Sequence, residues 1–149
     1  MNLRSFSVRV LSPAALTLLL MGCSQGDRPP IGEVTGTITL DDQPLGGAIV
    51  TFSPVGGGRP SQAMTTPEGK YELVYIGTTN GAKVGQHKIS VSTSYDGDDP
   101  MTGKTVHFPE QIPPKYNGEK TELTADVQGG ANVFNFDLKG KLASKKRGG

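Results

Sequence analysis

The stretch EVTGTITL, residues 33–40, alternates strictly between apolar and polar positions. Val34, Ile38 and Leu40 share one face with Gly36, and polar side chains occupy the other face. A period of two that is rich in β-branched residues is typical of a half-buried β-strand. The stretch therefore predicts a β protein. Its apolar positions mark the face that we expect to point into the core, and the other segments can be compared with that face.

Six further segments show the same alternation, and turn residues separate them. Residues 66–69, Thr-Pro-Glu-Gly, suit a type I turn because Pro stands second and Gly fourth. No stretch has the longer period of an amphipathic helix. The seven strands predict an all-β fold, a seven-stranded antiparallel β-sandwich of immunoglobulin-like architecture. The six further segments are residues 47–53, 62–65, 70–76, 85–93, 121–127 and 132–138.

The composition excludes some classes of protein. Fifteen Lys and Arg residues nearly balance 14 Asp and Glu residues, whereas a nucleic-acid binder would carry a basic excess. Nucleic acid is therefore not an expected partner. Cys23 is the one cysteine among 149 residues, so a disulfide within the chain is excluded and the domain depends on its core.

The first residues have the composition of a secretory signal. Arg4 and Arg9 precede a mainly apolar run over residues 10–21. A run of this length is shorter than the roughly 20 residues that a membrane-spanning helix needs, and it suits the hydrophobic centre of a signal peptide. We therefore expect export from the cytoplasm.

The end of that run, Leu20-Met21-Gly22-Cys23, resembles the lipobox of bacterial lipoproteins. The resemblance implies cleavage between Gly22 and Cys23 and acylation of Cys23 with diacylglycerol and a palmitate-type chain. The partner of Cys23 would then be membrane lipid, and the protein would be held in the cell envelope, facing the periplasm or the surface. Ser24 is not the Asp that retains such proteins in the inner membrane, which favours the outer membrane. An ordinary signal peptide with an incidental cysteine, or an uncleaved anchor, remains the alternative.

Four regions follow from these patterns. Residues 1–22 are the expected signal peptide, 23–32 a lipidated flexible tether, 33–139 the β-sandwich and 140–149 a basic disordered tail. The tail is either a solvated terminus or a segment attracted to anionic lipids or wall polymers.

The ordered strand motifs resemble the carboxypeptidase regulatory-like domain, which has a transthyretin-like (prealbumin-like) sandwich. The resemblance covers roughly residues 33–138, and together with the lipobox it is similar to small planctomycete-type lipoproteins. It implies a structural, adhesive or accessory role. The motifs are V-x-G-x-I at 34–38, P-L-x-G-A-x-V-x-F at 44–52, T-x-x-G-x-Y-x-L at 66–73, G-x-x-K-x-x-V at 85–91, I-P-P-K-Y at 112–116 and F-x-F-x-L at 134–138.

No enzymatic motif is present, and we expect neither catalysis nor a cofactor. Hydroxyisourate hydrolases of related fold end in Tyr-Arg-Gly-Ser, which this chain lacks, and intradiol dioxygenases need closely paired histidines. His87 and His107 are twenty residues apart. His87 has inward parity near a strand end, and His107 is expected to face solvent.

The long segment 94–120 is the expected contact surface, because function gathers on long loops of a rigid scaffold. Its aromatic residues Tyr95, Phe108 and Tyr116 are the candidate anchors for an envelope protein or polymer. The expected function is a membrane-anchored, non-catalytic structural or interaction module. The alternative is a carbohydrate or small-ligand binder, which would need an exposed aromatic row or an open pocket.

Within this segment, Asp96-Gly97-Asp98-Asp99 is the candidate for a cation. Carboxylates on a glycine-containing loop supply the oxygen ligands that Ca²⁺ takes. A solvated acidic turn without metal is the other interpretation of the same residues.

Overall fold

The computed structural model of the protein describes residues 28–140. These residues form 14 β-strands and two 3₁₀ turns, and the described part contains no α-helix. The all-β class is therefore confirmed. No helix within residues 28–140 has the length and apolar character needed to cross a membrane.

The strands in chain order are β1 (Ile31–Leu40), β2 (Gln43–Pro44), β3 (Ile49–Pro54), β4 (Ser61–Met64), β5 (Lys70–Glu72), β6 (Val74–Ile76), β7 (Thr79–Asn80), β8 (Ala82–Lys83), β9 (Gly85–Ser92), β10 (Tyr95–Asp98), β11 (Thr105–Phe108), β12 (Leu123–Val127), β13 (Gly130–Val133) and β14 (Phe136–Leu138). The 3₁₀ turns span Pro114–Tyr116 and Gly118–Lys120.

Two six-stranded sheets and one separate hairpin make up the domain. In the first sheet β1 is central and pairs with β13, β14, β2, β5 and β8. The second sheet has the order β12-β9-β3-β4-β6-β7. Strands β10 and β11 pair only with each other.

Each of the seven predicted segments forms strand, but the structure has more than seven strands because two of the segments are divided and further short strands are present. The predicted strand 70–76 is divided at Leu73 into β5, which belongs to the first sheet, and β6, which belongs to the second. The Leu73 amide donates to the Val34 carbonyl, while its own carbonyl accepts from Gly81. Leu73 is thus the point where the chain passes from one sheet to the other. The predicted strand 132–138 is also divided, into β13 and β14.

The expectation of purely antiparallel pairing is wrong at one place. β13 and β14 both run parallel to β1, with Gly32 opposite Gly130 and Leu40 opposite Leu138. Between them the ladder is interrupted, and the side chain of Asn135 replaces it: its Oδ1 accepts from the Thr37 amide at 3.0 Å and from the Thr37 hydroxyl at 2.9 Å.

A single apolar core lies between the two sheets. The Phe52 ring on β3 is fully buried, and its centroid lies 6.3 Å from that of Tyr71 on β5 and 6.3 Å from that of Phe136 on β14. Full burial of one such side chain contributes about 1.5–3 kcal/mol. Val34, Ile38 and Leu40 of the opening stretch are all buried, as their parity predicts; other members include Val50, Leu73, Ile89, Val91, Val127 and Leu138.

Gly36 lies on the inward face of β1, where the backbone at Phe134 comes too close for a side chain. A Cβ atom at this position would lie 1.8 Å from the Phe134 carbonyl oxygen and 2.9 Å from the Tyr71 ring. The Tyr71 hydroxyl donates to the same carbonyl at 2.8 Å. The absence of a side chain at Gly36 therefore lets the interrupted ladder close.

Candidate interaction site

The pairing of the strands shows which segments lie at each of the two ends of the domain. β1 is roughly 30 Å long at about 3.3 Å per residue. The tether end, where β1 begins, also carries the segments 54–60, 77–84 and 128–130. The distal end, where β1 finishes, carries the turns at 41–42 and 66–69, the β10–β11 hairpin and Gly140.

The arm, which we define as residues 95–108, contradicts the expectation of an irregular segment. Tyr95 pairs with Phe108 across the two strands, and their rings stack with centroids 4.5 Å apart and an angle of 16° between planes. Gly97 lies beneath them, since a Cβ there would come within 2.8 Å of the Tyr95 ring. Both aromatic side chains are half-buried, and their rings make this face of the arm apolar.

The opposite face of the arm is polar. Asp96 Oδ1 lies 2.8 Å from His107 Nδ1, and both side chains are mostly exposed. The Thr105 hydroxyl donates to Asp98 at 3.1 Å. The arm is therefore amphipathic, with an aromatic face and a charged face.

The three aspartates of the cation candidate have separate tasks. Asp96 contacts His107, Asp98 accepts from Thr105, and Asp99 Oδ1 accepts from the amides of Met101 and Thr102 at 2.7 and 3.2 Å in the arm's turn. Within residues 28–140 no three acidic, histidine or cysteine side chains are grouped as metal ligands would be. Hydrogen bonds within the hairpin thus account for all three carboxylates.

Glu110 fixes the base of the arm to the second sheet. Its carboxylate accepts from the Ser92 hydroxyl at 2.6 Å, from the Thr93 amide at 3.0 Å and from the Asn117 amide group at 2.6 Å. Partial burial raises the pKa of Glu110, but the hydrogen bonds from Ser92, Thr93 and Ile112 outweigh it and lower the pKa below its ordinary value. A charged carboxylate is therefore the form that holds the chain here.

The sequence did not reveal Glu110. The only local signal is that Glu110 is the single charged residue over 108–114, a stretch of apolar residues and prolines with one glutamine. Its partners lie on β9 and after the first 3₁₀ turn, and no spacing in the sequence relates them. Glu110 is nevertheless the residue that makes the long segment rigid next to the sheet.

Tyr116 belongs to the core and not to a contact surface. Its side chain is only 7% exposed. Its hydroxyl accepts from the Lys139 amide at 3.0 Å and donates to the Lys139 carbonyl at 3.3 Å. Of the three predicted anchors, the structure therefore brings Tyr95 and Phe108 together and places Tyr116 elsewhere.

The two histidines are in different environments. His87 is buried at 1% exposure; its Nδ1 lies 2.9 Å from the Gly85 carbonyl oxygen, and its Nε2 has no hydrogen-bond partner. Burial lowers the pKa of His87, although the Gly85 carbonyl and Asp126 raise it. His107 is exposed on the arm. They do not form a common site.

Surface grooves lie on the outer faces of both sheets. One of about 700 Å³ is lined by Thr51, Ser53, Lys88 and Ser90 of the second sheet, with Val55 and Glu119. Another of about 580 Å³ lies over the interrupted ladder of the first sheet. The carbohydrate or small-ligand alternative needs an exposed aromatic row or an open pocket; within residues 28–140 the aromatic row is absent, since Phe52, Tyr71 and Tyr116 are buried, whereas these grooves are open.

Several predicted residues lie outside the described part of the chain. They are Gly22 and Cys23, the signal peptide 1–22, the first five residues of the tether, and residues 141–149 of the tail.

Comparison with known proteins gives distant likenesses only. No protein-family model matches the sequence, and no curated protein matches it. A 9R-lipoxygenase from Cyanothece PCC8801 matches 83% of this chain and 19% of its own at 13% identity, with a TM-score of 0.43. A DUF3823 family protein from Parabacteroides merdae ATCC 43184 matches 77% of this chain and 48% of its own, also at 13% identity, with a TM-score of 0.38. The chain thus spans about a fifth and about half of these proteins, and neither likeness carries an argument about activity.

Proposed function

We propose that this protein is a bacterial lipoprotein of the cell envelope, anchored through acylated Cys23, which presents the arm to a partner without catalysing a reaction. The finer fold in this proposal is the transthyretin-like sandwich of carboxypeptidase regulatory-like domains. The lipid anchor is supported by the lipobox resemblance at residues 20–23, and at least two acyl chains would hold the protein stably.

One observation carries the contact role: the arm and the tether lie at opposite ends of the domain. Because β1 is roughly 30 Å long, its end at Leu40, opposite Leu138, lies far from Ile31. The arm starts directly after β9, whose Ser92 faces Ile49 at that same distal end. An anchored domain would therefore hold the aromatic face of the arm away from the lipid, where an envelope protein or polymer can reach it.

The rigidity of the arm's base supports the same role. Glu110 ties the arm's return segment to Ser92 and Thr93, so little conformational entropy is left to be lost when a partner binds. Non-catalytic action is proposed because the titratable side chains on the charged face of the arm, Asp96, Asp98 and His107, hydrogen-bond within the hairpin itself.

The anchor is tested by metabolic labelling with a fatty acid. The variant Cys23→Ala should lose the label and the membrane association, while the matched variant Ser24→Ala should keep both. Label retained in Cys23→Ala would refute acylation at this residue.

The contact role is tested by capture from envelope membranes and from purified wall polymer. Tyr95→Ala/Phe108→Ala should lose a partner that the wild type retains. The control, Met64→Ala/Val133→Ala, removes two apolar side chains that are 53% and 69% exposed away from the arm, and it should retain the partner. Equal capture by all three proteins would remove the arm from the proposal.

A further inference from the structure

We infer that the tether end makes a second, weaker contact with the lipid surface, in which Val55 enters the headgroup region and Arg28 and Arg59 face anionic headgroups. The inference rests on the proposed anchoring at Cys23, and it adds an orientation and a lipid class to that proposal.

An ordered turn presents Val55. The side chain is 60% exposed, yet its amide donates to the Gln86 carbonyl at 2.9 Å and the Gly57 amide donates to the Pro54 carbonyl at 3.1 Å. Lys83 Nζ donates to the Gly57 carbonyl at 3.1 Å. The apolar side chain is therefore held outward by the backbone of β9 and by a lysine.

The length of chain before the described residues keeps this turn near the lipid. Four residues lie between Cys23 and Arg28, and the five steps from one to the other span at most about 17 Å when extended. That reach is shorter than the domain, which is roughly 30 Å along β1. The domain therefore cannot invert to put its distal end against the membrane, and the tether end is the surface that meets the headgroups.

The charges of the two ends favour the same orientation. The exposed Arg28 and Arg59 lie at the tether end with Lys83. The acidic side chains at that end are Glu33, Asp126, which accepts from Gln128 at 2.9 Å, and Glu72, which accepts from Asn80 at 2.6 Å. The distal end carries the larger acidic group, against which Lys70, Lys104 and Lys139 stand among the described residues: Asp41, Asp42, Glu68, Asp96, Asp98, Asp99 and Asp137.

An anionic lipid surface complements this distribution better than an uncharged one. It attracts the basic residues of the tether end and repels the carboxylates of the distal end. The chemistry of the contact is thus one apolar side chain with arginines at the same end of the domain, the combination that interfacial segments use.

The test uses the full acylated protein in vesicles of phosphatidylcholine with 30% phosphatidylglycerol. Acylated Cys23 has no free thiol, so Val55→Cys takes a single environment-sensitive fluorophore. We expect a blue-shifted emission and quenching by lipid-borne quenchers at position 55. The matched label at Met101→Cys, on the arm where residue 101 is 93% exposed, should emit as in water.

Charge is tested by neutralisation in the same vesicles. Arg28→Gln and Arg59→Gln should each lower the ratio of buried to exposed label at Val55→Cys about five-fold, the equivalent of about 1 kcal/mol per basic residue at an anionic surface. Lys104→Gln on the arm is the control and should leave that ratio unchanged. Vesicles of pure phosphatidylcholine remove the attraction of both arginines and should therefore lower it by about 25-fold or more.

The outcomes separate the two proposals. If the protein does not float with the vesicles, the anchor at Cys23 fails. If it floats but the label at position 55 emits as in water, or if Lys104→Gln acts as strongly as Arg59→Gln, the lipid contact of the tether end is wrong while the anchor stands.

Discussion

The Thr93 amide and the Glu110 carboxylate meet at 3.0 Å, and the Thr93 hydroxyl donates to the same carboxylate oxygen at 2.9 Å. Thr93 follows β9 of the second sheet just before the arm, and Glu110 comes shortly after the arm. The pair therefore closes the base of the hairpin, together with the hydrogen bonds from Ser92 and Asn117 to the same carboxylate.

Replacing Glu110 with Ala should destabilise the domain by about 3 kcal/mol, because the buried donors of Thr93 and Ile112 lose their acceptor. Urea denaturation at neutral pH measures the change. Glu119→Ala, an exposed position in the second 3₁₀ turn, is the control and should stay within about 0.5 kcal/mol of wild type. A loss in Glu110→Ala no larger than in the control would contradict this role.

The same carboxylate predicts an acid limit to stability. The pKa of Glu110 is lowered in the folded state, so the unfolded chain binds the proton more readily. The contribution of Glu110 is complete above about pH 4.5, the unfolded value, and is lost as pH falls through the lower folded pKa. Unfolding free energies measured from pH 6 to pH 3 should fall less steeply in Glu110→Gln than in wild type.

His87 predicts a second pH effect at higher pH. Its pKa is lowered in the folded state, chiefly by burial, so the unfolded chain takes up the proton first as pH drops below about 6.5. Stability should therefore fall with pH below 6.5, by at most about 1.4 kcal/mol per pH unit.

The variant His87→Phe isolates that effect. It removes the unpartnered Nε2 atom next to the Phe52 ring, so we expect stability at pH 7.5 within about 1 kcal/mol of wild type and a flat profile between pH 6.5 and 5. A slope that survives in His87→Phe would assign the effect to another group.

Gly36→Ala should destabilise the domain by about 3 kcal/mol, since its Cβ would collide with the Phe134 carbonyl and displace the Tyr71 hydroxyl from it. Thermal and urea unfolding measure the loss. Gly129→Ala is the matched control, because nothing lies within 4 Å of a Cβ at that position. Equal stability of both variants would show that β1 does not approach Phe134 so closely.

The alternating segments were predictable because their parity reports burial. Val50, Phe52, Ile89 and Val91 are fully buried at inward positions of the predicted strands. The passage between sheets at Leu73 was not predictable, because Leu73 keeps its inward side chain while its backbone changes partners. The parallel pairing of Leu40 with Leu138 joins residues 98 positions apart, and no local pattern specifies the direction of such a pair.

The arm was missed for a related reason. Tyr95-Asp96-Gly97-Asp98 contains a glycine and two carboxylates, which have low strand propensity. Its stability comes from the cross-strand pair of Tyr95 with Phe108, and that pair exists only when the two halves of the segment meet. Tyr95 and Phe108 lie side by side on the arm, and their role as anchors stays a prediction, whereas the ring of Tyr116 is buried in the core.

Gly97→Ala should separate the aromatic face of the arm from the stability of the domain. A Cβ at residue 97 would lie 2.8 Å from the Tyr95 ring and 3.5 Å from the Phe108 ring, so the Tyr95 ring must turn away and the stack must open. Because β10 and β11 pair only with each other, the unfolding free energy should change by less than about 1 kcal/mol. The loss of ring-current shifts on the Phe108 protons in NMR spectra measures the opening, and Thr102→Ala in the arm's turn should leave those shifts unchanged.

If the proposed contact role is correct, Gly97→Ala should also bind the captured partner more weakly than Thr102→Ala does. A Phe108 spectrum identical to wild type would show that the Tyr95 ring does not lie over residue 97.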